Sequence, residues 1–563
     1  VTQGSALLRD MVTTPERRAR YEDSGLWDSS TLAARVATHA REQPDAVAVV
    51  VGDERRTFAE LAGRAGSLAA ALTAHGVAAG SVVSIQLPNC YEFAVAAVAV
   101  QSLGAVINPL LPNYRQRELH TVFTVAEPAV IITPAEYRGT DHRDLVAAVM
   151  ANSGVNACHL VVGEPGARAA AFDDWCAGPP SELAPGEATA VSELIFTSGT
   201  EARPKAIMHT EQTTNFSVRV ARSDLGITAD DVVWMPSPLG HSTGFNYGLR
   251  FALYHGLRLV LQDRWNGDAA AELVAREGCT YTMAATTFLR ELTEAAGRAR
   301  IRLDSLRFFG CGGATVPPAL VEQAQSSGID VLRLYGSTEV LVGSWNRPHS
   351  SAAQKRGTDG TAMSFIEMEV KDDDGRPVAS GEPGELYVRG PDTCVGFFDD
   401  PERTAATFGP DGWVRSGDMV TMDPDGYLTV VGRKKEIIIR GGLNITPREI
   451  EEMLTAFPEV HSAAVIGLPD PRLGERMCAC VVLRDGASLT LATVVGRLER
   501  EGLATYKWPE RLEILEALPM TASGKVQKHE LVRILGTDAP DGVASPGGTA
   551  GPDGTASPGG TAS

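Results

Sequence analysis

The sequence has little of what marks a secreted, membrane-spanning or nucleic-acid-binding chain. Its eight cysteines, among them Cys90, Cys279, Cys311 and the Cys478/Cys480 pair, form no C-x-x-C pair and no zinc-like cluster with histidine. Neither a disulfide framework nor a structural zinc is expected, and a reduced cytoplasm fits best. Long apolar runs are missing too. The most apolar segment, "FAVAAVAV" at 93–100, is far too short to cross a bilayer, and the start "VTQGSALLRDMVTTPERR" has no apolar core behind a basic end. Positive charge is in deficit: 51 Lys and Arg against 70 Asp and Glu leave a formal charge of -19. Such a surface disfavours nucleic acid and anionic membranes, so an anionic ligand must meet locally placed donors. No G-x-x-x-x-G-K-[ST] loop occurs, which argues against P-loop kinases and ATPases.

What is present is a chain of 563 residues, 44% of them hydrophobic, long enough for at least two packed domains. From about residue 47 to 340, short apolar runs such as "VAVVV", "VVSIQL", "AVIIT", "LIFT", "VVWMP", "LRLVL", "LRFFG" and "VLRLYG" alternate with helical patterns. Continuous runs of this kind predict parallel strands buried on both faces, with function at their C-terminal ends. Thr57 and Glu60 have capping-box spacing for the first long helix, which Gly76 can close. Beyond residue 350 shorter alternating strands predict a β-rich subdomain, and from Lys434 a fresh α+β pattern begins, with helices at "REIEEMLTAF" and "LATVVGRLEREG". The expected organisation is α/β. A large N-terminal domain of doubly wound sheets with a β-rich subdomain spans 1–433, and a small mobile α+β domain spans 434–536. The repetitive Gly/Pro/Ser-rich stretch 537–563 contains almost nothing that could form a core and is expected to be a disordered tail.

The segment "TSGTEARPKA" at 197–206 follows a strand and is rich in small and hydroxyl residues, as a phosphate-holding loop should be. Alone it would equally be a polar turn. Four further stretches occur in order: "PLGHSTG" at 238–244, "YGSTE" at 335–339, "SGDMVTMDPDGYLTVVGRKKEIIIRGGLNITPREIE" at 416–451 and "PMTASGK" at 519–525. Together the five stretches resemble the adenylate-forming superfamily over nearly all of 30–535, and within it the acyl-CoA synthetases for alicyclic and bulky acids.

That resemblance implies an acid–thiol ligase that joins a carboxylic acid to AMP and passes the acyl group to a thiol. It implies ATP or acyl-AMP, Mg²⁺ and coenzyme A as cofactors. Thr197, Ser198, Gly199, Thr200 and Lys205 would hold phosphates. Gly312, Gly313, Ala314, Tyr335 and Gly336 would face the adenine, and Asp418 and Arg433 the ribose. Catalytic roles fall to Thr338 at the α-phosphate, Glu339 as the Mg²⁺ ligand, His241, and Lys525, the adenylation lysine. Lys435 matches the hinge position, and Gly441 and Gly442 the tunnel of the thiol. Taken singly, Glu339 or Lys525 would be a solvated surface charge and His241 a packed imidazole; the shared frame raises Glu339, Asp418, Arg433 and Lys525 to site residues and leaves His241 evenly balanced between the two readings.

The acyl pocket is expected from His241, Phe245, Phe288 and Phe309, which leave room for an apolar, cyclic or aromatic acid. "GHSTGFNYG" carries no carboxylate to bind an ammonium, so an amino acid is disfavoured. No carrier module follows residue 535, which points to free coenzyme A as acceptor. A partner ligase supplying acyl-AMP and a homodimer fit the same reading. A luciferase-like oxidase and a non-catalytic acyl-adenylate-binding protein are the rival classes; retention of Lys525 and of Gly441 and Gly442 speaks against the latter.

One departure stands out. Where the family's loop has Thr and Gly, this chain has Glu201 and Ala202. A carboxylate here repels the β- and γ-phosphates, and Ala202 stiffens the loop. The elements for AMP are spared, so the sequence predicts weakened or lost use of ATP beside retained use of acyl-AMP.

Overall fold

A computed structural model describes residues 12–184, 186–197, 204–314, 316–441, 443–521 and 525–536. The expectations for Ser198, Gly199, Thr200, Glu201, Ala202, Gly442 and the tail 537–563 lie outside the described residues.

Two mainly parallel sheets form the larger part of the molecule. In the nine-stranded sheet the parallel strands Val47–Val51, Arg258–Leu261, Val232–Met235, Tyr281–Ala284, Phe308–Cys311 and Val331–Ser337 lie side by side, closed by antiparallel edges. A seven-stranded sheet is built around Val82–Ile85, Val106–Pro109, Val130–Pro134 and Val191–Thr197. Strands such as Val82–Ile85, Val232–Met235 and Tyr281–Ala284 are buried at every position, which is why their sequences run apolar without alternation. The run "FAVAAVAV" becomes part of the helix Tyr91–Ser102, whose residues are buried almost all round, except Glu92. A helix apolar on every face has to be internal. The expected capping box holds: Thr57 Oγ1 accepts from the Glu60 N–H at 3.2 Å, and Glu60 Oε2 from the Thr57 N–H at 2.7 Å.

Residues 367–433 form the antiparallel meander Glu367–Lys371, Gly384–Arg389, Val414–Met422 and Leu428–Arg433. Past the short 3₁₀ turn Lys434–Glu436 comes a five-stranded sheet flanked by the helices Pro447–Thr455, Leu491–Arg500 and Lys528–Leu535. Its two apolar clusters, one around Ile450, Val465 and Leu498 and one around Ile466, Cys478 and Leu531, draw only on residues after 437. A small unit with its own core follows the large one. Among the described residues no helix is long and apolar enough to cross a membrane.

Candidate active site

The site gathers at the C-terminal edge of the nine-stranded sheet. Strand Phe308–Cys311 runs into Gly312 and Gly313, and its neighbour Val331–Ser337 ends in Tyr335, Gly336 and the loop bearing Thr338 and Glu339. Close backbone approach dictates these glycines. A Cβ at Gly312 would collide with the Leu334 carbonyl, and one at Gly336 with that of Leu341. Gly313 has φ +77°, in the region that favours glycine.

The antiparallel pair Val191–Thr197 and Lys205–Thr210 places Thr197 opposite Lys205, so the two ends of the 198–204 loop are pinned side by side. Lys205 then reaches across to Glu339, Nζ to Oε1 at 2.8 Å. Burial pushes the Glu339 carboxyl up, but the Lys205 ammonium outweighs it and holds the group below the usual carboxylate range. It is therefore ionised at neutral pH. One ionised carboxylate with oxygen donors suits Mg²⁺, whose remaining ligands would come from phosphate and water. Among the described residues no cluster of three or more acidic, His or Cys side chains offers a dedicated metal cage.

His209 was not singled out by the sequence. Its Nε2 donates to the Thr338 carbonyl at 2.8 Å, fixing the backbone that carries Thr338 and Glu339. A buried imidazole on a strand of the other sheet has no local sequence signal.

Asp418 and Arg433 face each other in register on adjacent strands, with Arg433 Nε 3.0 Å from Asp418 Oδ1. Tyr335 donates its hydroxyl to Asp418 Oδ2 at 2.8 Å. Burial raises the Asp418 carboxyl, against the pull of Arg433 and Tyr335. Lys525 comes from the small unit. Its Cε lies 3.7 Å from where a Cβ of Gly313 would stand. Solvent still reaches Lys525. Protein crowded around it, together with the Arg433 cation, holds its ammonium below the ordinary lysine range, while Asp418 and Glu339 oppose that shift. Arg448 Nη2 lies 3.9 Å from Asp359 Oδ2, a second point where the two units meet.

His241 caps the short helix Ser242–Gly244, its Nδ1 accepting from the Thr243 N–H at 3.2 Å. Burial, and Lys525 after it, push its pKa down to about 4, so it is a neutral imidazole with the proton on Nε2. A π-helix, Phe245–Arg250, follows at once.

Of the four residues expected at the acyl pocket, His241 lies within reach of the Lys525 charge, and Phe245, four residues on, is wholly buried against Phe93. Phe288 and Phe309 are elsewhere. Phe309 is wholly buried among Trp234, Leu289 and Val331, and Phe288 packs edge-on against Trp265 at 4.6 Å. The reason is strand parity: side chains alternate between faces, so Phe308, not Phe309, shares the core face with Phe245 and Met283. Gly441 has φ +59°, and its N–H donates to the Leu473 carbonyl at 2.7 Å. Lys435 sits in the 3₁₀ turn between the units.

The π-helix contributes Asn246 and Arg250 to a buried polar network absent from the sequence expectations. Arg250 contacts Glu193 at 2.6 Å, Glu211 at 2.5 Å, Asn215 at 2.8 Å and Asn246 at 3.1 Å. Arg250 and Glu193 are fully buried and Glu211 nearly so.

Several histidines give the protein an acid-side liability. Burial lowers His159, His209 and His241 from 6.5 to about 4, and His255 to about 3. The unfolded chain binds these protons more readily, so their stability contribution is full above pH 6.5 and is lost as pH falls toward 4. The urea midpoint is expected to hold between pH 8 and 7 and to fall between 6.5 and 5, above the ordinary carboxylate range. Replacing His209 and His255 together by Asn should flatten that slope; an unchanged slope would contradict the assignment.

Strand ends that gather Gly312, Gly313, Tyr335 and Glu339, the paired Asp418 and Arg433, and a lysine from a second unit form the arrangement expected of an adenylate-forming enzyme. The chain belongs to the AMP-binding enzyme family, as an acid–thiol ligase of the adenylate-forming superfamily: residues 36–398 match the AMP-binding enzyme model and 449–525 that of the AMP-binding enzyme C-terminal domain. It is 37% identical over 522 residues to a medium-chain fatty-acid–CoA ligase of Escherichia coli K12, covering 91% of this chain and 92% of the relative. It is 35% identical over 533 residues to the 2-hydroxy-7-methoxy-5-methyl-1-naphthoate–CoA ligase of Streptomyces carzinostaticus, covering 91% and 94%. ATP-bound MatB from Rhodopseudomonas palustris superposes with a TM-score of 0.80 at 28% identity, over 90% of this chain and 99% of that one.

Proposed function

We propose that the protein converts a medium-chain, aryl or alicyclic carboxylic acid to its coenzyme A thioester through an acyl-AMP. The observation that carries this reading is Lys525 seated at Gly313 beside Asp418, Glu339 and Arg433. In the first step a carboxylate oxygen bonds to the α-phosphorus of ATP and the bond to pyrophosphate breaks. The Lys525 ammonium offsets the charge that gathers there. Thr338 holds the α-phosphate, with its backbone fixed by His209. Asp418 accepts from the ribose hydroxyls, steadied by Arg433 and Tyr335. Glu339 would hold Mg²⁺, which supplies charge neutralisation at the phosphates; Lys205 contacts Oε1 of the same carboxylate. In the second step the thiol loses its proton to solvent, its sulfur bonds to the acyl carbon, and the bond from that carbon to the AMP phosphate oxygen breaks, so that AMP leaves. For that step the small domain, starting at 434, turns about Lys435 and brings Gly441 and Gly442 to the thiol. A panel of acyl-AMPs incubated with coenzyme A and read by mass tests the reading. Thioester from medium-chain, aryl or alicyclic members is expected, and none from any of them would overturn it.

The finer part of the proposal concerns the loop. Thr197 and Lys205, the residues that flank the loop, stand opposite each other, and Lys205 holds Glu339. A carboxylate at 201 about 4 Å from a phosphate charge repels it by roughly 4 kcal/mol at an effective dielectric near 20. Glu201 and Ala202 therefore weaken adenylation from ATP and leave acyl-AMP use intact. Glu201→Thr combined with Ala202→Gly is expected to raise acid-dependent pyrophosphate exchange by about tenfold or more, with thioester formation from acyl-AMP changed less than about twofold. Brisk exchange by the natural protein, with an acid whose adenylate it uses, would sink the idea.

A further inference from the structure

The 3₁₀ turn Lys434–Glu436 is the covalent link between the meander strand Leu428–Arg433 and the small-domain strand Ile438–Arg440. The residues on either side of Lys435 are tied in opposite directions. Lys434 Nζ lies 2.9 Å from Glu385 Oε2 and 2.6 Å from Asp373 Oδ1, both in the meander part of the large domain. Glu385 is nearly buried and is gripped from its other side by Arg415, Nε and Nη2 each at 2.8 Å. Glu436 Oε2 instead lies 3.1 Å from Lys528 Nζ, which also holds Glu451 Oε1 at 2.8 Å. Glu451 Oε1 in turn accepts from the Val465 N–H at 2.8 Å, so this second anchor is built into the small domain's sheet. The Lys528 side chain is 17% exposed and that of Glu451 14%, which leaves the pair little screened by salt. Lys528 opens the helix Lys528–Leu535, three residues after Lys525.

We infer that Lys434 and Lys528 are positioning residues: two ion-pair clamps, one to each domain, that confine the small domain's rotation to the backbone of Lys435. The inference rests on the two-step reading above, in which that rotation occurs. Both clamps lie wholly on their own side of the pivot, so they survive the turn and transmit it. Without them the turn would spread over several bonds between 433 and 437. The groups that the small domain carries to the site, Lys525 in one orientation and Gly441 in the other, would then arrive with a wider scatter.

Hydrogen exchange on the full-length protein tests this without any substrate. Lys528→Met and Lys434→Met are each expected to raise amide exchange of the 434–437 segment about fivefold or more, with the sheets of both domains unchanged. Lys528→Arg should restore the natural rate. In parallel, kcat for thioester formation from acyl-AMP should fall about tenfold in Lys528→Met with KM for coenzyme A within about twofold, because misplacement rather than binding is at fault. Should Lys528→Met fail to fold, Glu436→Gln removes the same clamp. Unchanged exchange at 434–437 in the folded variants, or no restoration by arginine, would overturn the clamps. Absence of any thioester from the natural protein would instead sink the proposed reaction while the exchange result still stood on its own.

Discussion

Lys525→Ala is expected to lower acid-dependent adenylation by about two to three orders of magnitude, the usual cost of removing one preorganised donor from a developing charge. Thioester formation from preformed acyl-AMP should change less than about threefold, because the charge that the lysine offsets arises only in the first step. The geometry supports the split. Lys525 stands over Gly313 with Arg433 nearby, among the groups proposed above to hold phosphate and ribose. Pyrophosphate exchange measures the first step and mass detection of the thioester the second. If the natural loop makes exchange too slow to measure, the Glu201→Thr, Ala202→Gly background supplies the reference. Equal losses in both steps would assign Lys525 a structural role.

Arg250→Met is expected to destabilise the large domain by about 3–5 kcal/mol, the range seen when one partner of a buried ion pair is removed. Glu193 and Glu211 both lean on this guanidinium, and neither has water to turn to. Truncation leaves two carboxylates buried close together without a cation. One oxygen of Glu211 already has no hydrogen-bond partner among the described residues, so the network has little slack. The urea transition of the large domain measures the loss. Adding Glu193→Gln to Arg250→Met should recover part of it, since a neutral amide avoids the unpaired charge. A loss below about 1 kcal/mol would mean that the site relaxes or admits water. The π-helix that contributes to the network carries Phe245 and begins just after His241, so the same substitution is expected to disturb the acyl end of the site.

Much of this protein is legible in its residues. The strands from Val47–Val51 to Val331–Ser337 announce themselves as apolar runs, and Thr57 with Glu60 marks a helix start that the structure reproduces in both hydrogen bonds. The resemblance to the family rests on five ordered stretches, each recognisable locally: small residues where backbones must approach, a carboxylate in "SGDM", a lysine after a glycine. Local spacing was enough for these. The run "FAVAAVAV" was legible as too short for a membrane, though not as the helix buried within the fold.

Tertiary structure alone decided which face a side chain takes and which distant partner it meets. In "LRFFG" both faces of the strand are buried, so no polar alternation sets the phase, and the sequence could not tell that Phe308 rather than Phe309 turns toward Phe245. Lys205 on Glu339, His209 under Thr338 and Arg250 between Glu193 and Glu211 join residues that are remote in the chain. Buried polar partners are chosen by the geometry of a closed core, where every charge must find its counterpart, and no local pattern records that choice. The two anchors around Lys435 are of the same kind: "RKKE" supplies the charges, but only the packing of two domains assigns Lys434 to one and Glu436 to the other.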